Sequence, residues 1–202
     1  MITYKIFKRL SDMFFAFLGL LILSPIFLIC LILLSFSNNG KPFFFQERPS
    51  KGERVFNIIK FKTMKDLKPG VDMNDLNRMT KMGSFIRKYS LDEIPQLINV
   101  IKGDMSIVGP RPLLARYLPL YTDRQRRRHE VQAGITGWAQ IKGRNTLSWE
   151  EKFEYDLWYV EHQSFFLDMK IILLTVKRII MPEGVDSGDG LSMPEFMGTE
   201  NE

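Results

Sequence analysis

The chain has little of several residue types on which other proteins build their chemistry. Among 202 residues there is one cysteine, Cys30, which excludes an intrachain disulfide and a metal site built from several cysteines. The two histidines have no metal-ligand spacing. Residues 13–40 contain no charge, and no lysine or arginine follows Arg178, so the first 178 residues hold all 28 basic residues against 17 acidic ones. This basic body indicates an anionic membrane surface or phosphorylated ligands as partners.

The run without charge is long enough to be a membrane segment. In residues 13–36 the apolar sequence is interrupted at four positions: Gly19, Ser24, Pro25 and Ser35. As a helix this run rises roughly 36 Å, more than a bilayer core of about 30 Å, but Ser24 and Pro25 divide it into halves that are each too short to span. Basic residues flank both ends, and the positive-inside rule draws both ends to the cytoplasmic face. We expect a re-entrant helix–break–helix hairpin, and a proline-kinked span is the alternative.

The rest of the chain predicts an α+β fold that is predominantly helical with a small β-sheet. Strands are predicted at 42–47, 54–61 and 105–108, and a helix with a capping box is predicted to begin at Ser148. The stretch 165–180 is too charged to span a membrane and too apolar for an ordinary surface helix. It predicts an amphipathic helix that lies in the membrane interface or packs against the core.

Composition divides the chain into three predicted units. Residues 1–40 form the re-entrant membrane anchor. Residues 41–181 form a cytoplasmic domain at the membrane interface, where a basic surface can meet anionic headgroups. Residues 182–202 are rich in glycine, proline and acidic residues, which predicts an acidic flexible tail.

Two adjacent carboxylates, Asp92 and Glu93, stand at a predicted helix start. A structural interpretation accounts for them: Ser90 is the N-cap, Glu93 completes a capping box, and Asp92 favours the helix dipole. The functional interpretation gives them different tasks, because adjacent side chains diverge by roughly 100° on a helix. One carboxylate can attack phosphorus, and the other can hold a divalent cation that neutralises phosphate oxygens.

A second candidate site is the sequence Gly109-Pro110-Arg111-Pro112. Two prolines restrict the backbone on both sides of Arg111, and a residue that precedes proline is pushed toward an extended conformation. This would hold the guanidinium ready for phosphate oxygens, whose geometry its planar fork matches. A rigid turn with an exposed arginine is the structural alternative.

Further basic and polar residues are placed to contact phosphate. Alternation in the second strand puts Lys60 and Lys62 on one face, and Thr63 adds a hydroxyl. Arg87 comes shortly before the two carboxylates in the sequence. Ordinary solvated surface faces are the structural alternative for the lysines and for Arg87.

Two other charged features have ordinary explanations. The basic run at 124–128 has no interleaved aromatic residues and matches no recognised nucleic-acid-binding module, so we expect no nucleic acid partner and interpret it as a lipid-facing or solvated helix end. Asp168 lies in the apolar last helix, where a carboxylate needs a partner. Pairing with a lysine or arginine is its structural explanation.

These motifs together resemble those of the bacterial sugar transferase family, the monotopic phosphoglycosyl transferases. The resemblance includes the Ser24-Pro25 pair and covers about residues 1–180. Its other stretches are KFKTM (Lys60–Met64), SLDEIPQLINVIKGDMSIVGPRP (Ser90–Pro112), GITGWAQIKGRN (Gly134–Asn145) and FFLDMK around Asp168. One departure is that Gln132-Ala133 precedes the third stretch, where the family often has Arg-Pro.

The resemblance implies a monotopic enzyme on the cytoplasmic face of a bacterial inner membrane, bound to its lipid, with 41–181 as the catalytic domain. Its substrates would be a UDP-sugar and polyprenyl (undecaprenyl) phosphate, and it would release UMP. The short chain and the stretch Tyr117–Tyr121 are similar to members that transfer phospho-N,N′-diacetylbacillosamine in N-glycan pathways. That sugar, or a related N-acetylated one, is therefore expected, with other glycosyltransferases of such a pathway as partners.

The resemblance also implies roles for individual residues. Asp92 would attack the β-phosphate of the UDP-sugar and carry the phosphosugar covalently, and Glu93 would bind Mg²⁺. Arg111, with Pro110 beside it, would anchor phosphate. Arg87 and Asp168 would support the site.

The third matching stretch would border the nucleotide pocket, and Arg144 and Asn145 at its end are candidate contacts. Arg128 or Arg144 would substitute for the missing arginine of the family pattern. The competing hypothesis for the whole chain is a non-enzymatic membrane adapter whose basic face binds anionic lipid. Release of UMP from a UDP-sugar separates the two, because an adapter releases none.

Overall fold

The computed structural model describes residues 2–66, 78–143, 146–181 and 194–199. Its helices are α1 (Ile2–Ser37), α2 (Lys81–Lys88), α3 (Gln96–Lys102), α4 (Asp123–Arg126), α5 (Trp138–Lys142), α6 (Trp149–His162) and α7 (Phe165–Ile180). Its strands are β1 (Phe43–Pro49), β2 (Val55–Phe61), β3 (Ser106–Val108) and β4 (Gly134–Thr136), paired as β1–β2 and β3–β4. The predicted α+β class, mostly helical with little sheet, is confirmed.

Helix α1 continues through Pro25, where the sequence predicted a break between two helices. Pro25 has no N–H for the carbonyl of Leu21, one turn earlier. The hydroxyl of Ser24 donates a 2.8 Å hydrogen bond to that same carbonyl. The serine thus satisfies the group that the proline leaves open, and residues on both sides of the pair belong to one helix, so the predicted break is not found.

Both ends of α1 pack against the same domain. Near the N-terminus, the Arg9 guanidinium donates to the carbonyls of Val100 and Ile101 in α3. Near the C-terminus, Leu34 is buried and the Asn38 amide donates to the carbonyl of Lys62, just beyond β2. From Tyr4 to Ser37 the helix is long and apolar enough to cross a membrane, and 11% of its apolar 18-residue stretch is buried by the protein.

The β1–β2 hairpin places a lysine beside the predicted carboxylates. The strands are antiparallel, with Phe43 opposite Phe61 and Pro49 opposite Val55. Asn99 of α3 is fully buried and hydrogen-bonds along β2: its Oδ1 accepts from the N–H of Ile59 and its Nδ2 donates to the carbonyl of Asn57. This side chain holds α3 against β2, so the end of β2 lies next to the turn that precedes α3.

Three glycines allow the loop after β3 to lie against β4. The two strands are parallel, with Ser106 opposite Gly134 and Val108 opposite Thr136. A side chain at Gly109 would collide with the carbonyl of Gln132, and one at Gly134 or Gly137 would collide with the backbone of Gly109. The close approach fixes the start of the loop that carries Arg111.

Helices α6 and α7 close the domain. Ser148 caps α6 through the predicted capping box with Glu151, and Phe153 and Leu157 are buried on one face of the helix. Helix α7 buries Ile171 completely and exposes its opposite face. The most exposed apolar side chains of that face are Phe166 (83%), Leu173 (70%) and Ile180 (69%).

The predicted flexible tail lies mostly outside the described residues, and its described part, 194–199, packs against the domain. Phe196 is 2% exposed. Four aromatic rings surround it at centroid distances of 5.2–5.9 Å: Tyr117, Tyr121, Trp149 and Phe153. Trp149 Nε1 also donates a 3.0 Å hydrogen bond to the carbonyl of Pro194. This segment therefore belongs to an aromatic cluster of the domain.

Candidate active site

Asp92 and Glu93 lie in a single 3₁₀ turn, Leu91–Glu93, and α3 begins only after Pro95. Ser90 has a left-handed backbone (φ 54°), and its side chain makes no capping hydrogen bond. The structural interpretation of Ser90 and Glu93 as a capping box is therefore wrong. Both carboxylates are available to partners from other elements.

Two cations from separate elements hold Glu93. Lys60 Nζ, at the end of β2, lies 2.8 Å from Glu93 Oε1, and Arg111 Nη2 lies 2.8 Å from the same oxygen. Lys60 Nζ is also 3.7 Å from Oδ2 of Asp92. Asp92 itself is 7% exposed. A buried acid and a partly buried acid thus share one lysine, and an arginine also pairs with the second acid.

The surroundings shift the pKa values of the two carboxyl groups in opposite directions. Burial, followed by the negative charge of Glu93, raises the pKa of Asp92, while Lys60, Arg87 and Arg111 oppose the shift. Burial would also raise the pKa of Glu93, but the charges and hydrogen bonds of Arg111 and Lys60 outweigh it and hold that pKa well below its usual range. Two adjacent acids with different proton affinities are suited to different roles.

Arg87 is held in place by a buried hydroxyl group. Its Nε donates a 3.0 Å hydrogen bond to Oγ1 of Thr63, which is 4% exposed. Thr63 thus serves the site by orienting an arginine, whereas the sequence suggested that its hydroxyl would contact phosphate.

The two carboxylates and the cations around them line a cleft of about 730 Å³. This volume is within the usual range for small-molecule sites. Of the site residues predicted from the sequence, six line it: Lys60, Arg87, Asp92, Glu93, Arg111 and Arg128, the last as the suggested substitute for the family's arginine. At one end the cleft reaches Leu23 of α1, next to the Ser24-Pro25 pair. The site therefore borders the apolar helix.

Several predicted site residues lie elsewhere. Lys62 follows the end of β2 and pairs with Asp66 at 2.6 Å. Pro110 is buried in the loop, where its carbonyl accepts from the N–H of Gly134. Neither lines the cleft. Arg144 and Asn145 lie outside the described residues.

Asp168 is also away from the cleft and joins three helices. Its Oδ2 is 2.6 Å from Lys8 Nζ and accepts a hydrogen bond from Tyr4, both in α1. Its Oδ1 accepts a 2.7 Å hydrogen bond from Tyr159 of α6. The structural explanation, pairing with a lysine, is confirmed.

The cleft also contains polar residues that the sequence did not assign, and Asp156 is one of them. Its partner Arg128 had two interpretations, as part of a lipid-facing or solvated helix end and, from the resemblance, as a substitute for the missing family arginine. Arg128 is 2% exposed and pairs with Asp156 of α6 at 2.7 Å, so the solvated interpretation is wrong. The signal in the sequence is Asp156 itself, an acid three residues after Phe153 and therefore on the same side of the helix as that aromatic residue. The other unassigned polar residues that line the cleft are Thr136, Gln140, Lys152, Thr175 and Arg178.

The two carboxylates fit the requirements of a magnesium ion. Mg²⁺ in phosphate chemistry is usually held by one or two carboxylates, with substrate phosphates and water completing its shell. The cation contacts described above use one oxygen of each acid, Oδ2 of Asp92 and Oε1 of Glu93. Among the described residues, no group of three or more His, Cys, Asp or Glu forms a metal site. The donor set thus suits an ion held jointly with a substrate.

The sequence profile of the bacterial sugar transferase family matches residues 3–182. The chain belongs to this family. An uncharacterised sugar transferase of Bacillus subtilis, EpsL, is 49% identical over 196 residues, which cover 96% of this chain and 97% of that protein. The resemblance inferred from the motifs is therefore confirmed, and the chain is a sugar transferase.

Longer members of the bacterial sugar transferase family match as well. The UDP-glucose:undecaprenyl-phosphate glucose-1-phosphate transferase of Xanthomonas campestris is 37% identical, over 88% of this chain and 39% of that protein. The galactosyl transferase CpsE of Streptococcus agalactiae is 38% identical, over 90% of this chain and 44% of that protein. Residues 3–182, which the family profile matches, contain every residue that lines the cleft.

Proposed function

We propose that this chain transfers a phosphosugar from a UDP-sugar to undecaprenyl phosphate and releases UMP, as the first membrane step of a glycoconjugate pathway. The main support for the proposal is the buried Asp92, which lies beside Glu93, Lys60 and Arg111. These residues line a cleft that reaches the apolar helix α1. Such a cleft offers anion-binding groups to a nucleotide diphosphate and an apolar border to a lipid phosphate. The named activity of the Xanthomonas relative supports the same assignment.

The reaction has two balanced steps. An oxygen of the Asp92 carboxylate forms a bond to the β-phosphorus of the UDP-sugar, and the bond from that phosphorus to the bridging oxygen breaks, so that UMP leaves with the electron pair. An oxygen of undecaprenyl phosphate then attacks the same phosphorus and releases Asp92 as a carboxylate. The nearby lysine and arginines stabilise the negative charge on the phosphate oxygens.

Glu93 is the residue that would hold Mg²⁺, which supplies positive charge to the phosphate oxygens when bound. Glu93 is ionised at neutral pH because Arg111 and Lys60 hold its pKa low. Arg111 Nη2 lies 2.8 Å from Glu93 Oε1 and is placed to exchange that contact for a phosphate oxygen.

The membrane arrangement is part of the proposal. Both ends of α1 contact the domain 41–181, through Arg9 at one end and Asn38 at the other. This supports a helix that enters and leaves the bilayer on the same, cytoplasmic face. The exposed apolar face of α7, with Lys177 and Arg178 in its last turn, supports an interfacial position for that helix.

The sugar is the part of the proposal on which the relatives differ. The short chain and the Tyr117–Tyr121 stretch favour UDP-N,N′-diacetylbacillosamine or a related N-acetylated sugar, whereas the names of two relatives specify glucose and galactose. Members of one family with a shared phosphate site can differ in the pocket for the sugar. We keep the N-acetylated sugar as the proposed substrate.

The test is UMP release by the full chain in nanodiscs with Mg²⁺ and undecaprenyl phosphate. The panel contains UDP-N,N′-diacetylbacillosamine, UDP-N-acetylglucosamine, UDP-glucose and UDP-galactose. We expect turnover with at least one of them and the highest kcat/KM with an N-acetylated sugar. No UMP from any of the four contradicts the transferase proposal and favours the adapter.

The covalent step has its own test. Without undecaprenyl phosphate, the wild type should release at most one UMP per enzyme, and mass spectrometry should place a phosphosugar on Asp92. Asp92→Asn should fold, give no adduct and release no UMP, and Glu93→Gln should lose most activity. Asp123→Asn, an exposed acid outside the cleft, is the matched control. An active enzyme with neither burst nor adduct would show direct attack by the lipid phosphate.

A further inference from the structure

The loop that carries Arg111 is held through three consecutive carbonyl groups. The carbonyl of Pro110 accepts from the N–H of Gly134 at 2.9 Å. The next two accept from arginine side chains: Arg111 O from Arg128 at 2.7 Å and Pro112 O from Arg48 at 3.2 Å. Strand β3 has already ended at Val108, and the two prolines have no N–H to offer. Hydrogen bonds from the side chains of Arg128 and Arg48 therefore take the place of the backbone hydrogen bonds that a continued β-sheet would provide.

Arg128 is itself fixed by a buried acid. Its Nε and Nη2 donate to Oδ2 of Asp156 at 3.1 and 2.7 Å, and the same Nη2 donates to the carbonyl of Arg111. Arg128 is 2% exposed and Asp156 is 4% exposed. The aromatic rings of Tyr121 and Phe153 lie about 6 Å from its guanidinium carbon, at 6.0 and 5.8 Å. Both partners are thus held in one geometry.

Stability alone is a poor reason for such a pair at the wall of a cleft. Taking two charges out of water is costly, and a well-packed apolar pair of similar volume is often as stable. An apolar pair, however, has no donor for the carbonyl of Arg111. The hydrogen bond to that carbonyl is the property that an arginine at position 128 supplies.

We propose that the buried Arg128–Asp156 pair is a positioning device for Arg111. Asp156 of α6 sets the guanidinium of Arg128, and Arg128 sets the main chain of Arg111. The Arg111 side chain is then held toward Glu93 and the phosphate region of the cleft. The inference rests on the proposed function, in which Arg111 anchors phosphate. Arg128 and Asp156 act through Arg111 and are positioning residues.

The first test replaces the pair by apolar residues of similar size, Arg128→Met with Asp156→Leu. The packing around Tyr121 and Phe153 is then kept while the hydrogen bond to the Arg111 carbonyl is lost. We expect a thermal unfolding midpoint close to that of the wild type and a kcat/KM for UMP release at least tenfold lower. The assay uses the best UDP-sugar of the panel with undecaprenyl phosphate.

The chain offers a matched control close by, because Arg124 lies four residues before Arg128 and Glu154 lies two residues before Asp156. Arg124 and Glu154 form a two-bond ion pair at 2.7 and 2.9 Å, but their side chains are 63% and 58% exposed. Arg124→Met with Glu154→Leu should leave kcat/KM within twofold of the wild type. An equal loss in both double variants would show a general effect of removing charge and would overturn the proposal.

A coupling measurement separates positioning from an independent structural effect. Arg111→Lys alone should lower kcat/KM at least tenfold. If the pair acts through Arg111, adding Arg128→Met and Asp156→Leu to Arg111→Lys should lower kcat/KM by less than a further threefold. Losses that multiply to a hundredfold or more would overturn the inference.

The outcomes distinguish this inference from the proposed function. Near-wild-type activity of Arg111→Lys would show that Arg111 does not anchor phosphate, and the positioning role that depends on it would fail as well. A defective Arg111→Lys together with a fully active Arg128→Met, Asp156→Leu variant would overturn the positioning role alone. If that variant does not fold, Arg128→Lys serves instead. Its single ammonium cannot reproduce the fork, so a loss below threefold in a folded protein would equally contradict the proposal.

Discussion

At the scale of single residues, the 3₁₀ turn Leu91–Glu93 gives two neighbouring acids different environments. Glu93 receives both cations on one oxygen, at 2.8 Å each, whereas Asp92 is buried with Lys60 at 3.7 Å. The difference follows from position in the fold, because Lys60 comes from β2 and Arg111 from the loop after β3. A nucleophile and a metal-binding acid can therefore stand side by side.

The first prediction is that Lys60→Met shifts the acid limb of the pH–rate profile to higher pH. Burial already raises the pKa of Asp92, and the charge of Lys60 opposes that rise. Asp92 must be ionised to attack, so activity falls as the pH drops through its pKa. Without Lys60 that pKa rises further and activity is lost at a higher pH. The measurement is kcat/KM for UMP release between pH 4 and pH 8.

Lys62→Met is the control for this prediction, since Lys62 pairs with Asp66 and does not line the cleft. It removes the same charge two residues away. Its acid limb should coincide with that of the wild type. A limb that stays in place in Lys60→Met, or moves to lower pH, would show that the titrating group is not Asp92.

At the scale of elements, the segment 194–199 acts as a strap on the aromatic cluster. Phe196 fills the space between α6 and the 3₁₀ helix Ala115–Leu120, and the exposed pair Arg116–Glu195 lies at 2.8 Å beside it. Trp149, which contacts Phe196, also lines the cleft. The strap thus supports one wall of the candidate site.

We predict that Phe196→Ala destabilises the protein strongly. Removing a buried phenyl ring from a core costs about 3–5 kcal/mol, which for a chain of this size corresponds to roughly 6–20 °C in the unfolding midpoint. Thermal unfolding in a mild detergent measures it. Met197→Ala is the control, because Met197 is 81% exposed and should change stability by less than about 0.5 kcal/mol. Equal unfolding midpoints for both variants would show that the packing of segment 194–199 contributes nothing to the stability of the protein.

At the scale of the whole molecule, one domain receives both ends of α1. The N-terminal contacts run to α3 and α7, and the C-terminal contacts run to β2 and α2. A straight helix that crossed the bilayer would separate its ends by the full thickness of the membrane. The shared domain therefore favours a helix whose ends lie on one side.

The corresponding prediction uses single cysteines in a Cys30→Ala background. Lys5→Cys and Ser37→Cys lie in exposed positions near the two ends of α1. A membrane-impermeant maleimide should label both from the cytoplasmic side of sealed vesicles. In the combined variant Ser24→Ala, Pro25→Leu, which favours a straight helix, we expect one of the two sites to change side. If Lys5→Cys and Ser37→Cys are labelled from opposite sides while Ser24 and Pro25 are intact, α1 spans the membrane and the prediction is wrong.

Local sequence patterns predicted a large part of the fold. The β1–β2 hairpin, the capping box at Ser148 and the last helix lie within a few residues of their predicted positions. Each depends on residues that are neighbours in the chain, so their periodicity and capping chemistry suffice. The break at Pro25 is not confirmed: α1 runs through this position, and the Ser24 hydroxyl donates to the carbonyl that the proline leaves open.

The sequence by itself determined which residue types are available: an apolar helix, adjacent carboxylates, and an arginine between two prolines. Only the tertiary structure decided which of them meet. Glu93 takes partners 18 and 33 positions away, Asp168 takes one 160 positions away, and Arg128 is buried against an acid 28 positions away. These contacts depend on how α1, α3, α6 and the two small sheets pack. Charge pairing over such separations has no period or motif in the sequence, because it is the packed core that brings the charges together.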